Sequence, residues 1–211
     1  CSLSGSPVNV AYAAAPDYDT PADADTNNVY VVTVLVDDGV ANDANGATTL
    51  TITVTDLNDQ TPVYQAADAD DAISVAENSG TGSIDAGTIT DVDTGNSYGC
   101  TLGGADAADF ACSISGSTVN VAFAADPDYD NPADADTNNV YVVTVLVDDG
   151  TDNDPNGATT LTITVTDVND VTPVYQAADA DDAISVAENS GTGSIDAGTI
   201  TDVDTGNSYG C

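Results

Sequence analysis

Apolar and polar residues alternate over much of this chain, and a period of two marks a half-buried β-strand. The longest such runs are NNVYVVTVLVDD (138–149) and ATTLTITVTDVND (158–170). AISVAEN (72–78), GSIDAGTITDVD (82–93) and NSYGCTL (96–102) read as three earlier strands. DFACSISGSTVNVAFAA adds two more around a turn at Ser115 and Gly116. No stretch carries a helical period, apart from GGADAADF (103–110), which has room for one turn. The expected class is all-β, with about seven strands per unit arranged as a Greek-key β-sandwich.

The pattern repeats. CSLSGSPVNVAYAAAPDYD, from Cys1, returns as CSISGSTVNVAFAADPDYD from Cys112. DAISVAENSGTGSIDAGTITDVDTGNSYGC, from Asp71, returns from Asp182, so the offset is the same in both cases. A unit of this length suits one β-sandwich. The expected organisation is the later part of one repeat (1–61), a complete repeat (62–171) and the front part of the next (172–211). Each partial piece standing alone would leave a sheet edge unfinished. Either the chain therefore continues past both ends, or neighbouring molecules complete one another.

Composition sharpens the picture. The chain has 36 acidic residues and no Lys, Arg or His, a formal charge of −36. No conventional side-chain ion pair can form, so counter-charge must come from outside, and dissolved metal ions are the obvious source. Nucleic acid and anionic lipid are excluded as partners, because both are held by Lys and Arg. The low aromatic content of 5% also fits disorder, but the alternating Val, Ile and Thr runs favour folded β structure. No apolar stretch of about 18 residues is present, so direct membrane insertion is not expected.

Cys100 and Cys112 flank a short loop, and a disulfide there would stabilise by about 3 kcal/mol and imply an oxidising compartment. The alternative is a thiolate metal site, which wants CxxC-type spacing and further Cys or His ligands. Cys1 and Cys211 would pair with adjoining repeats or subunits. Placed head to tail, Cys211 of one copy and Cys1 of the next recreate the Cys100–Cys112 pair.

Acidic motifs recur in order in each copy, at strand ends: AEN (76–78), DYD (128–130), VDDG (147–150) and DVND (167–170), with DVD (202–204) in the next unit. Singly, each is what turns commonly carry. Together and in order, they resemble the cadherin domain, particularly the cadherin-like repeats of large bacterial surface adhesins. AEN resembles that family's xEx motif, DYD its DRE, VDDG its AxDxG, DVNDVTPVY its DxNDNxPxF linker, and DVD its DxD. The departures are Asp130 where the family often has Glu, Val171 and Gln60 in place of the second linker Asn, the cysteine pair, and the missing basic residues.

The resemblance implies calcium at each junction between consecutive repeats. After the complete repeat the implied ligands are Glu77, Asp128, Asp130, Asp167, Asn169 and Asp170 from one side, with Asp202 and Asp204 from the other. Before it they are Asp17, Asp19, Asp56, Asn58 and Asp59, completed by Asp91, Asp93 and Asp148. Asp37 would serve an earlier junction and Glu188 a later one. Ligand chemistry agrees, since Ca2+ takes six to eight oxygen donors, whereas zinc or copper would want His or Cys. The remaining acids, in 134–139, 149–157 and 179–183, are expected in solvated loops.

The function expected is mechanical: an extracellular fibre, filament or adhesin stalk whose joints stiffen with Ca2+, with copies of itself as head-to-tail partners. The alternative is an adhesion module that recognises a glycan or a cell-surface protein. Catalysis would have to rest on a carboxylate pair of the glycosidase type. Acidic motifs repeated in every copy favour structural ligands, so no enzyme is expected.

Overall fold

The computed structural model describes residues 2–3, 7–42, 46–67, 72–178 and 183–210. The first repeat piece holds β1 (Ser2–Leu3), β2 (Val8–Asn9), β3 (Val29–Val34) and β4 (Thr48–Thr53). Eight strands follow: β5 (Val63–Ala66), β6 (Ala72–Ala76), β7 (Ile84–Thr90), β8 (Gly99–Gly103), β9 (Phe110–Ser115), β10 (Thr118–Phe123), β11 (Val140–Asp148) and β12 (Thr159–Thr166). The last piece holds β13 (Val174–Ala177) and β14 (Gly198–Thr201).

The eight central strands form two four-stranded sheets, ordered β5-β7-β10-β9 and β6-β12-β11-β8. Period-two patterning explains why they face each other. Tyr141, Val143, Val145 and Val147 of β11, Leu161, Ile163 and Val165 of β12, and Val119, Val121 and Phe123 of β10 are all buried. Alternate residues on one face of each strand thus make one core between the sheets. Phe110, Phe123 and Tyr141 pack together within it, with ring centroids 4.4 to 5.5 Å apart.

Both open sides of the sandwich are managed. On one, Cys100 of β8 and Cys112 of β9 form a disulfide across the outer strands of opposite sheets, with Cα atoms 6.3 Å apart. On the other, the first strand is split. β5 pairs antiparallel with β7 in one sheet, and β6 crosses to pair parallel with β12 in the second. By sequence, Val63 and Tyr64 match the end of the linker motif, and nothing there gives a sign of this strand. Its seat requires Gly87, whose φ is +142° and where a Cβ would lie 2.1 Å from the Gln65 carbonyl oxygen.

Other expectations shift by a residue or two. The hairpin turn falls at Gly116 and Ser117, and the single turn expected in 103–110 is a 3-10 turn at Ala107–Asp109. One expectation fails. Asp134, Asp149 and Asp154 are buried rather than solvated. Each accepts backbone amides, as Asp154 does from Tyr64 at 2.7 Å and Asn156 at 2.8 Å, so fixed N–H dipoles replace water. Buried Asp106 works likewise, accepting from Val142 and Ala135. Residues 179–182 lie outside the described residues.

Candidate metal centre at the junctions between repeats

Each junction is built from three chain segments: a DYD loop, the linker after a final strand, and the DVD turn of the following unit. At the first junction, the Asp59 and Gln60 amides donate to Asp93 Oδ2 at 3.0 and 2.7 Å. In return, the Thr94 amide and hydroxyl both donate to Asp56 Oδ2 at 2.6 Å. The second junction repeats these contacts at the equivalent positions of the next unit. The Val171 amide donates to Asp204 Oδ2 at 2.9 Å, and Thr205 donates from amide and hydroxyl to Asp167 Oδ2.

These bonds satisfy one oxygen of each carboxylate and leave the other. Asp56 Oδ1 and Asp93 Oδ1, like Asp167 Oδ1 and Asp204 Oδ1, are inaccessible to solvent and have no hydrogen-bond partner; Asn58 Oδ1 joins them at the first junction. Unpaired buried oxygens are costly. Here they accompany clusters of carboxylate oxygens within 4.8 Å of one another: Asp19, Asp56 and Asp93 at the first junction, and Glu77, Asp128 and Asp130, then Asp130, Asp170 and Asp204, at the second. Orphaned oxygens, hard donors and no neighbouring cation suit a calcium ion.

Electrostatics follow the geometry. Desolvation, with Asp204, Glu77 and Asp167 close by, pushes the Asp130 carboxyl up to about 6. Its counterpart Asp19 is raised by desolvation and by Asp93, Asp56 and Asp59. Asp170 is raised by desolvation and by Glu77 and Asp204. Asp56 and Asp167 move the other way, because the Thr94 and Thr205 hydroxyls donate to their charged forms.

Glu77 holds the second junction in place from within the complete repeat. It is 3% exposed, and its Oε2 and Oε1 accept the Tyr129 and Val168 amides, each at 2.7 Å. One carboxylate therefore fixes both the DYD loop and the start of the linker.

The expected residues also make hydrogen bonds around these clusters. Asp17 Oδ1 accepts the Asp19 and Thr20 amides, and Asp128 Oδ1 accepts that of Asn131. Asp91 and Asp202 accept the amides of Asp93 and Asp204 within their own turns. Asp59 accepts from the Gln60 side chain, and Asn169 donates to Asn207 at 2.7 Å. Asp148 accepts the Gly150 amide at 3.1 Å, and Asn58 instead reaches the Asp149 carbonyl at 3.2 Å and the Thr151 hydroxyl at 3.1 Å. Cys1 and Cys211 lie outside the described residues.

Sequence reasoning missed four contributors. Thr94 and Thr205 were hidden as ordinary turn residues, although DVDTGN recurs intact. Asn28 and Asn139, at φ of 63° and 64°, donate to the Tyr18 and Tyr129 carbonyls at 2.9 Å and so brace both DYD loops. Recurrence of TNN after each DYD was the available signal.

An all-β tandem sandwich with acidic, mutually bonded junctions defines the class, and solved structures of the same fold are cadherin extracellular repeats. PcdhgB3 EC1-4 is similar at TM-score 0.53 and 22% identity, covering 89% of this chain and 43% of that one. Human CDH23 EC21-23 is similar at TM-score 0.52 and 21% identity, covering 89% and 58%. The protocadherin gammaB7 EC3-6 cis-dimer structure is similar at TM-score 0.51 and 26% identity, covering 89% and 42%. The chain thus spans about half the length of these neighbours. No protein-family model matches it, and no curated protein does. Among the described residues, no helix is long and apolar enough to cross a membrane.

Proposed function

We propose that this chain is part of an extracellular tandem-repeat fibre, filament or adhesin stalk, of the kind bacterial surface adhesins carry, whose joints are stiffened by Ca2+. The repeats run 1–61, 62–171 and 172–211, and the joints lie at the two boundaries. The observation that carries this reading is the recurrence, at equivalent positions of successive repeats, of buried carboxylate oxygens without partners on both sides of each boundary.

At the first joint Asp19, Asp56, Asp93 and Asn58 would hold the ion. At the second, Glu77, Asp128, Asp130, Asp167, Asp170 and Asp204 would. Bound calcium supplies the positive charge that the chain itself lacks. The protein's part is positioning. Thr94 and Thr205 clamp the linker aspartates, Asp93 and Asp204 gather the linker amides, and Glu77 couples the loop to the final strand. The disulfide fits an oxidising exterior, where calcium at about 0.1 to 1 mM typically loads modules of this kind. Copies of the same repeat, joined head to tail, are the natural partners.

Small-angle scattering of the chain with calcium and with excess chelator tests this. A longer, narrower distribution of maximum dimension with calcium is expected. Identical profiles, together with no heat of calcium binding, would remove the proposal.

A further inference from the structure

The loop 149–157 joins β11 to β12 and supplies none of the ligands assigned above, yet it meets the linker that enters the complete repeat. Asn58 Nδ2 donates to the Asp149 carbonyl at 3.2 Å and to the Thr151 hydroxyl at 3.1 Å. Further along, at the head of β5, the Tyr64 amide donates to Asp154 Oδ2 at 2.7 Å. Pro62, between these two points, is fully buried, and the Tyr64 hydroxyl donates to the Ala86 carbonyl at 2.7 Å.

The loop is itself tightly bonded. Asp149 Oδ1 accepts the Thr151 and Asp152 amides at 2.7 and 2.8 Å, and the Asp149 amide donates to the Asp152 carbonyl at 3.2 Å. Asp154 closes the other end: its amide donates to the Val147 carbonyl at 2.9 Å, its carbonyl accepts the Gly157 amide at 2.9 Å, and its Oδ1 accepts the Asn156 amide at 2.8 Å. Bonds from amides to a carboxylate are charge-assisted and stronger than neutral ones. The DVD turn holds the intervening linker positions, through Asp93 on the Asp59 and Gln60 amides and Thr94 on Asp56. From Asp56 to Tyr64 the chain is therefore held in turn by the DVD turn and by the loop, and each of these bonds joins protein groups.

We infer that Asp154 is a positioning residue of the first joint: by tying loop 149–157 to the head of β5, it holds the Asp149 carbonyl and the Thr151 hydroxyl where Asn58 meets them, and so sets the direction in which the preceding repeat leaves. The clasp occupies Asn58 Nδ2 and leaves Asn58 Oδ1 buried without a partner, so the bonds that set the direction also orient the side chain. No ion takes part in it. Calcium, on the junction reading above, narrows a swing that the clasp already limits.

Hydrogen exchange of the full chain in excess chelator, read over residues 56–61, tests the inference. Asp106 supplies the control, because it is also buried and also accepts two backbone amides, from Val142 and Ala135, which lie outside the joint. In Asp154→Ala the linker should exchange about 10-fold faster than in the natural chain, the factor that one lost bond to a charged group brings. Asp106→Ala should leave the linker at its natural rate. Asp154→Asn, which keeps an acceptor oxygen, should recover part of the protection. Thr151→Val changes an exposed residue and leaves the core intact; it should speed linker exchange by a smaller factor. Small-angle scattering in chelator should show a broader distribution of maximum dimension for Asp154→Ala than for Asp106→Ala. A linker as protected in Asp154→Ala and Thr151→Val as in the natural chain, or one loosened equally by Asp106→Ala, would overturn the inference. If Asp154→Ala does not fold, Asp154→Asn and Thr151→Val decide it, and natural exchange in both overturns it. Calorimetry of calcium binding to the natural chain is the separate arm: absence of binding removes the junction reading and leaves the clasp to be decided by exchange in chelator.

Discussion

Thr94 and Asp56, 38 residues apart on opposite sides of a junction, make a two-pronged contact: amide and hydroxyl of the threonine donate to the same carboxylate oxygen, each at 2.6 Å. The other oxygen of Asp56 is left buried and without a partner. Thr205 and Asp167 repeat the arrangement. The clamp therefore fixes the direction in which the free oxygen points.

Replacing Thr205 with Val keeps the shape and removes the hydroxyl. Calcium affinity at the second junction should fall by about 10- to 100-fold, the usual effect of losing a group that orients a ligand. Titration calorimetry of the variant reads this directly, and an unchanged affinity would assign the clamp to packing alone.

Glu77→Ala removes the acceptor for two backbone amides at once. Each amide left without a partner costs about 1 to 3 kcal/mol, so the complete repeat should melt measurably lower even in chelator. Glu77→Gln retains one acceptor oxygen and should recover part of that loss in thermal denaturation, while still binding calcium more weakly than the natural chain.

Asp130 gives the junction a pH dependence. Its carboxyl titrates at about 6 in the folded protein against an ordinary 3.8, chiefly through desolvation. Between those values the folded state holds more protons than the unfolded one, so metal-free stability falls as pH rises from about 4 to about 6 and levels off above. Calcium bound at the proposed site would compete with the same proton. Affinity should therefore rise over this range, with proton release on binding at about pH 5 to 6 that vanishes by about pH 8. Calorimetry in buffers of different ionisation enthalpy measures the release.

The Cys100–Cys112 bridge closes a sequence separation of 12 across the outer strands of the two sheets. Replacing both cysteines with Ser should destabilise the complete repeat by about 3 kcal/mol. Chemical denaturation of the variant against the natural chain checks the value, and a reductant should lower only the latter.

How much of this was legible in the sequence depended on distance along the chain. β11 and β12 were plain from alternation alone, because each buries one face along its whole length. The strand Val63–Ala66 was not, because its burial comes from β7, well beyond it in the chain, and from a glycine bulge there. The acidic motifs pointed to ligand types and to the sides of each joint. They did not reveal the clamping threonines or the bracing asparagines, whose importance lies in a loop they touch only after folding. Asp134, Asp149 and Asp154 looked like solvent-loving loop residues until folding turned backbone amides toward them.

By itself the sequence determined what is periodic and local: the two-residue alternation, the tandem repeat, the order of acidic motifs, and the need for counter-charge from outside. The tertiary structure decided which of the repeated segments become ordered strands. Identical AISVA segments form a strand at 72–76 and none at 183–187. Tyr64 is 5% exposed while its counterpart Tyr175 is 59% exposed. The reason is that a β-strand holds its backbone bonds and its apolar face only against a neighbour. For the pieces at either end, that neighbour is not among the described residues.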